Sequence, residues 1–159
     1  MDKLLLNLPG KSNRERSDQW LPLWMHLMDT AGVMRELVNR WLCQRAGSRI
    51  DGDEDERVKL CVFTALVHDI GKIAEGFASE LCRTLPDIHL RLERLGVYVS
   101  PFAKKLPHGY LGEAILLELG CPEGIASIVS SHHGKPRDND NAMMNKRYGG
   151  GGLYFGLPT

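Results

Sequence analysis

The sequence predicts an all-α domain, an irregular bundle of short helices. Apolar residues recur at helical spacing over residues 23–41, an apolar run covers residues 60–67, and two later segments repeat the helical spacing. Glycine or proline separates these segments, as expected for short helices that begin and end close together. The 159 residues suit one domain that buries its own core.

We divide the chain into three parts by composition. Residues 1–18 form a polar lead-in, residues 19–134 form the helical domain, and residues 135–159 form a glycine-rich tail. We expect the tail to be flexible because residues 149–152 are four consecutive glycines, which disfavour a packed element.

The first two helices are predicted from their apolar patterns. One begins near residues 17–22, with a proline in its first turn, and stops near Gly47. The second begins near residues 53–55, and residues 60–67 are apolar nearly all round, which is typical of a central buried helix. Gly71 ends it. The apolar stripe of the first helix consists of Leu23, Leu27, Ala31, Met34, Val38 and Trp41.

Three further helices follow. The third covers residues 73–85 and stops before a proline. The region 86–107 is ambiguous, although residues 90–95 have a helical pattern. A fourth helix starts after residues 107–109 and is ended by Gly120, and a fifth opens at Pro122 and is ended by Gly134.

Charge and cysteine content limit the function classes. Twenty basic residues balance twenty acidic ones, so bulk positive charge does not hold nucleic acid here. The N-terminal apolar patch is too short for a signal sequence or a membrane span, and we expect a cytoplasmic protein without membrane contact. The cysteines are widely spaced, which favours reduced thiols over disulfides or a zinc ribbon. They are Cys43, Cys61, Cys82 and Cys121.

The strongest chemical signal is the dipeptide His68-Asp69 at the end of the second helix. A charged aspartate after an apolar helix needs partners, because burying a lone charge is costly. Imidazole and carboxylate together suit divalent transition metals such as Mn, Fe, Co and Ni. The two oxygens of Asp69 allow it to bridge two ions. An alternative is that Asp69 simply pairs with Lys72 near the helix end.

Five of the six histidines belong to segments that must pack together. Taken singly, His26 is best explained as a core-edge residue and His108 as a turn residue. Taken together, five such coincidences favour one metal centre at the ends of several helices. His89 fits no such pattern and is assigned to the surface. The five candidates are His26, His68, His108, His132 and His133.

This ordered pattern resembles a known family. The order of His26, His68-Asp69 and the later histidines resembles the HD phosphohydrolase superfamily. With His108 and the pair His132-His133, it looks like the HD nuclease domain of the CRISPR-associated helicase–nuclease of type I interference systems. The resemblance covers roughly residues 20–134.

The resemblance implies a two-metal site. His26, His68 and Asp69 would hold one ion, and the second would be held by Asp69, His108, His132 and His133. Asp69 and Lys72 are the catalytic candidates, with Lys72 neutralising a phosphate. In the family, a further aspartate for the first ion comes from beyond the double histidine. Its absence before Thr159 leads us to expect a truncated domain whose first site lacks one ligand.

The implied activity is metal-dependent nicking and degradation of single-stranded DNA during CRISPR interference. The implied partners are a helicase domain or subunit and an RNA-guided surveillance complex. Two alternatives stay open: a phosphohydrolase acting on nucleotides, and an inactive fragment that binds the surveillance complex. Candidates for a positively charged DNA groove are Lys72, Lys104, Lys105, Lys135 and Arg137.

Overall fold

A computed structural model describes residues 6–13, 15, 19–42, 54–100 and 106–134. The described chain is mostly helical, which confirms the predicted all-α fold class, with one small two-stranded ribbon in addition. A π-helical turn follows the first helix and a 3₁₀ turn follows the second. The elements in chain order are β1 Pro9–Ser12, β2 Trp20–Pro22, α1 Leu23–Leu37, the π turn Val38–Leu42, α2 Glu54–Val67, the 3₁₀ turn Ile70–Ile73, α3 Glu75–Thr84, α4 Pro86–Arg94, α5 His108–Glu118 and α6 Glu123–Ser130.

The ribbon was not predicted, and it corrects the predicted start of the first helix. β1 pairs antiparallel with β2, and the register shifts at Gly10. Pro22 has an extended backbone (φ −54°, ψ 143°) and precedes the helix instead of lying in its first turn. Leu23 N–H donates to the carbonyl of Leu8, which is itself buried. This tertiary hydrogen bond selects the extended conformation that proline also permits.

Part of the predicted lead-in is therefore packed. The indole Nε1 of Trp20 donates to the carbonyl of Asn7, and the guanidinium of Arg91 lies 4.1 Å from the Trp20 ring centroid. The contact with Arg91 fastens the ribbon to α4. The boundary near residue 18 stays a prediction.

Helix α2 is where the predicted burial is wrong. Among its described side chains only Ala65 is buried, while Leu60 is 47% exposed and Phe63 is 40% exposed. The helix packs against α1 and, to a smaller extent, α6. An apolar sequence shows that a face favours burial, but only the neighbouring elements decide which faces are covered.

Two clusters of buried apolar residues lie in the described part of the chain. The larger cluster joins α3, α4 and the segment after α4. Helix α4 begins with Pro86 and is followed by Gly96 at φ +77°. Residues 86–100 of the ambiguous region are therefore a helix followed by an irregular segment. The smaller cluster joins α5 to α6 and includes Leu116. The larger cluster consists of Ala78, Ile88, Leu92, Val97 and Val99.

Helices α5 and α6 lie close to where the sequence predicted them, although α5 already begins at His108 and α6 ends at Ser130, before Gly134. Gly120 and Gly134 follow them with φ values of +80° and +84°, a conformation that glycine adopts without strain. The predicted stop at Gly47 and the predicted tail at 135–159 lie outside the described residues. No helix in the described ranges is long and apolar enough to cross a membrane.

Candidate metal centre

Asp69 lies at the centre of the histidine cluster. It follows the last turn of α2 and precedes the 3₁₀ turn, and only 4% of its surface is exposed. All five predicted histidines reach this region from four different helices or their ends. The structure therefore brings together every residue that the sequence predicted as a ligand.

One oxygen of Asp69 faces the first two histidines. Its Oδ2 accepts a hydrogen bond from His26 Nε2 at 2.9 Å and lies 3.2 Å from His68 Nε2. His26 comes from α1, and His68 directly follows α2. These two helices pack against each other, which explains how residues 42 positions apart in the chain meet at one carboxylate oxygen.

The other oxygen faces the later histidines. Asp69 Oδ1 lies 3.0 Å from His108 Nε2 and 3.3 Å from His132 Nε2. His133 Nε2 lies 2.9 Å from His108 Nε2, which adds a third imidazole to this side. Candidate ligand atoms within 4.8 Å of one another thus fall into two groups. We call His26, His68 and Asp69 the first ligand group, and Asp69, His108, His132 and His133 the second ligand group.

Backbone carbonyls orient two of the imidazoles. His68 Nδ1 donates to the carbonyl of Ala65 at 2.7 Å, and His132 Nδ1 donates to the carbonyl of Val129 at 2.6 Å. A carbonyl only accepts, so the proton of each neutral ring is on Nδ1. In each neutral ring Nε2 therefore carries a lone pair that a metal ion could accept, and this arrangement is typical of metal-ligating histidines.

Glycines permit the close approach of the elements. A Cβ at Gly71 would overlap the backbone carbonyl of His108 and lie 2.5 Å from the amide nitrogen of Gly112. The 3₁₀ turn can therefore lie directly against α5 only because residue 71 lacks a side chain. On the other side, a Cβ at Gly10 would lie 2.7 Å from Leu23 Cα and 3.1 Å from His26 Cβ. The sequence suggested Gly71 as a helix breaker but gave no signal for Gly10.

The cluster keeps Asp69 charged. Burial by itself would raise the pKa of Asp69, but contacts with His108, His68 and Lys72 outweigh it and hold the pKa far below its usual range. The contact with Asp69 raises the pKa of His68, against the opposing effect of burial. Burial, with repulsion from neighbouring histidines, lowers the pKa of His133.

Two orphaned atoms indicate that the second ligand group fits a metal ion. Asp69 Oδ1 and His132 Nε2 are both buried and have no hydrogen-bond partner in the described part of the chain. A buried polar atom without a partner is costly, and a divalent cation between these acceptors would remove the cost for both. Imidazole and carboxylate ligands suit divalent transition metals. The ligand assignments of all six residues stay predictions.

Lys72 also lies in the centre, but its ammonium already contacts protein oxygens, whereas a lysine that only binds phosphate would leave it free. Its Nζ lies 2.7 Å from Asp69 Oδ2 and donates to the carbonyl of Gly10 at 2.7 Å. The pairing with Asp69 weighed as an alternative is thus present together with the histidine cluster. The other basic candidates, at 104, 105, 135 and 137, lie outside the described residues. His89 belongs to neither ligand group; its side chain is 42% exposed, and its Nε2 lies 3.3 Å from Glu93 Oε1.

An apolar groove of about 720 Å³ opens beside the centre. It runs between α1, α2 and α6, and His68 and His132 form part of its wall. Sequence reasoning missed it, because the exposed face of α2 was expected to be buried.

A helical domain with a buried aspartate shared by two histidine groups defines a class, that of histidine–aspartate metal centres on a helical scaffold. The family model described as "Cas3, HD domain" matches residues 10–151. The chain therefore belongs to the Cas3 HD domain family, as the resemblance predicted.

One relative supports the assignment. The chain is 31% identical over 147 residues to the CRISPR-associated nuclease/helicase Cas3 of Streptococcus thermophilus. The match covers 80% of this chain but only 16% of that relative, so the chain spans a minor part of its length. No solved structure matches the chain significantly.

Proposed function

We propose that this domain is a metal-dependent nuclease that nicks and degrades single-stranded DNA in CRISPR interference. The proposal rests on one observation: the two carboxylate oxygens of Asp69 face two different groups of histidines. A carboxylate in this position is suited to bridge two divalent ions. Membership of the Cas3 HD family supports a nuclease over other phosphohydrolases.

The protein's own residues have distinct roles in this proposal. His26, His68 and Asp69 would hold one ion, and Asp69, His108, His132 and His133 would hold the other. Two bound divalent ions would supply an activated water and stabilise charge on the attacking and leaving oxygens of a phosphodiester. The carbonyls of Ala65 and Val129 keep His68 and His132 in the tautomer that binds metal. Among the described residues the first ligand group has three members and the second has four.

The partners follow from the named relative. It is a nuclease/helicase, so we propose that a helicase domain or subunit feeds single-stranded DNA to this centre. Recruitment by an RNA-guided surveillance complex belongs to the same proposal, as does a location in the cytoplasm, where free thiols such as those of Cys61, Cys82 and Cys121 stay reduced.

The test is cleavage of circular single-stranded DNA with Mn²⁺, Co²⁺, Ni²⁺ or Fe²⁺. We expect nicking followed by degradation in the wild-type chain and loss of at least about 100-fold in rate for Asp69→Ala, because both ions lose a ligand. His89→Ala is the matched control, since this histidine lies outside both ligand groups.

Equal cleavage by Asp69→Ala and wild type would contradict the proposal. Hydrolysis of a nucleotide panel without cleavage of DNA would replace it with a nucleotide phosphohydrolase. A folded, metal-loaded chain that cuts neither substrate would indicate a binding domain, and its affinity for the surveillance complex would then be measured.

A further inference from the structure

The two oxygens of Asp69 differ in what they already bind. Oδ2 accepts a hydrogen bond from His26 at 2.9 Å and is paired with the ammonium of Lys72 at 2.7 Å. Oδ1 has two imidazole nitrogens nearby but no hydrogen-bond partner among the described residues. One side of the carboxylate is thus paired with the ammonium of Lys72, while the other side faces only imidazoles, at 3.0 Å and 3.3 Å.

The ammonium of Lys72 is fixed from several directions. Its Nζ donates to the carbonyl of Gly10 in β1, and it lies 5.5 Å from the centroid of the Phe77 ring in α3. The side chain is only 13% exposed. Strand β1, the 3₁₀ turn and α3 therefore hold one positive charge beside the first ligand group.

We propose that Lys72 is a resident cation of the first ligand group and that it sets the order in which metal ions load. The second ligand group fills first, because Asp69 Oδ1 and His132 Nε2 gain a partner and no protein cation has to leave. The first ligand group fills only when the Lys72 ammonium withdraws from Asp69 Oδ2. This inference rests on the metal centre of the proposed function.

Charge repulsion gives the physical reason for the order. An ion bound by His26, His68 and Asp69 Oδ2 would share that oxygen with an ammonium that now lies 2.7 Å from it. Two cations at such separations repel strongly when little water screens them. The carbonyl of Gly10 can retain the ammonium after it leaves Asp69, so withdrawal need not expose an unpaired buried charge.

The test is a titration of the metal-free full chain with Mn²⁺. Binding is monitored by calorimetry and by the electron paramagnetic resonance signal of free Mn²⁺. We expect two binding steps in the wild type. His132→Ala should remove or weaken the tighter step, and His26→Ala should remove only the weaker step. Lys72→Met removes the charge but keeps the length of the side chain, and it should tighten the weaker step by about tenfold or more.

Lys11→Met is the matched control, because it removes an exposed lysine next to Gly10 in β1 and should change neither step. Circular dichroism establishes that each variant is folded, and Lys72→Gln replaces Lys72→Met if the latter does not fold. A weaker step that is unchanged or looser in a folded Lys72 variant would overturn the proposal, as would loss of the tighter step in His26→Ala.

The outcome is distinguishable from that of the nuclease test. Two ordered binding steps without DNA cleavage would keep the loading order and remove the nuclease. Cleavage with a Lys72-independent weaker step would keep the nuclease and remove the loading order.

Discussion

The two sides of the metal centre are packed very differently. On the side of α5 and α6, the 3₁₀ turn lies in backbone contact with α5, and Leu116, Ala126 and Val129 form a buried cluster. On the side of α1 and α2, large apolar residues remain exposed, including Met28, Leu60 and Phe63. Each side supplies histidines to the same aspartate. From this difference we expect ligand geometry to depend more on buried packing in the second ligand group than in the first.

The largest expected effect separates the two sides by their response to truncation. Leu116→Ala should lower the free energy of unfolding by about 2–5 kcal/mol, because it opens a cavity in a buried cluster. Leu60→Ala, the same change on the open side, should cost less than about 1 kcal/mol because the side chain is half exposed. Urea denaturation of both variants measures the contrast, and equal losses would show that the open side is covered in solution.

The next effect concerns the residue that joins the two sides. Mn²⁺ at about 100 times its dissociation constant should stabilise the folded chain by about 2.7 kcal/mol per site, because the ion binds only the folded state. Asp69→Ala should abolish this stabilisation on both sides together. Thermal unfolding with and without Mn²⁺ measures it, and His89→Ala serves as a control. A variant that keeps half of the metal-induced shift would mean that Asp69 does not bridge.

A smaller effect is expected from the glycine contact that closes the packed side. Gly71→Ala places a Cβ against the His108 carbonyl and should destabilise the fold by about 1–3 kcal/mol, since backbone cannot move aside easily. It should also displace His108 and weaken Mn²⁺ binding by the second ligand group. Gly32→Ala in α1 is the matched control: a Cβ there meets nothing within 4 Å, and it should stabilise the helix by up to about 1 kcal/mol. If both changes have the same sign in chemical denaturation, the close approach at residue 71 is not required.

Much of the helical architecture was predictable because its signals are local. The glycine and proline boundaries of α5 and α6 predicted both helices. The apolar stripe predicted α1, except for the residue at which it begins. The start of α1 was predicted wrongly because Trp20–Pro22 pairs with β1, and a strand partner distant in the chain has no local signal. The burial of α2 was overestimated for a related reason, since coverage depends on neighbouring helices.

The sequence by itself determined the inventory of the centre: five histidines, Asp69 and Lys72, each at or near the end of a helical segment. It could do so because residue type and helical spacing are properties of short segments. Only the tertiary structure decided that Oδ2 faces His26 and His68 while Oδ1 faces His108 and His132. It also decided that Lys72 is held between Asp69 and Gly10, two residues that lie far apart in the chain. Such contacts arise from the packing of distant segments at distances of about 3 Å, which no local pattern specifies.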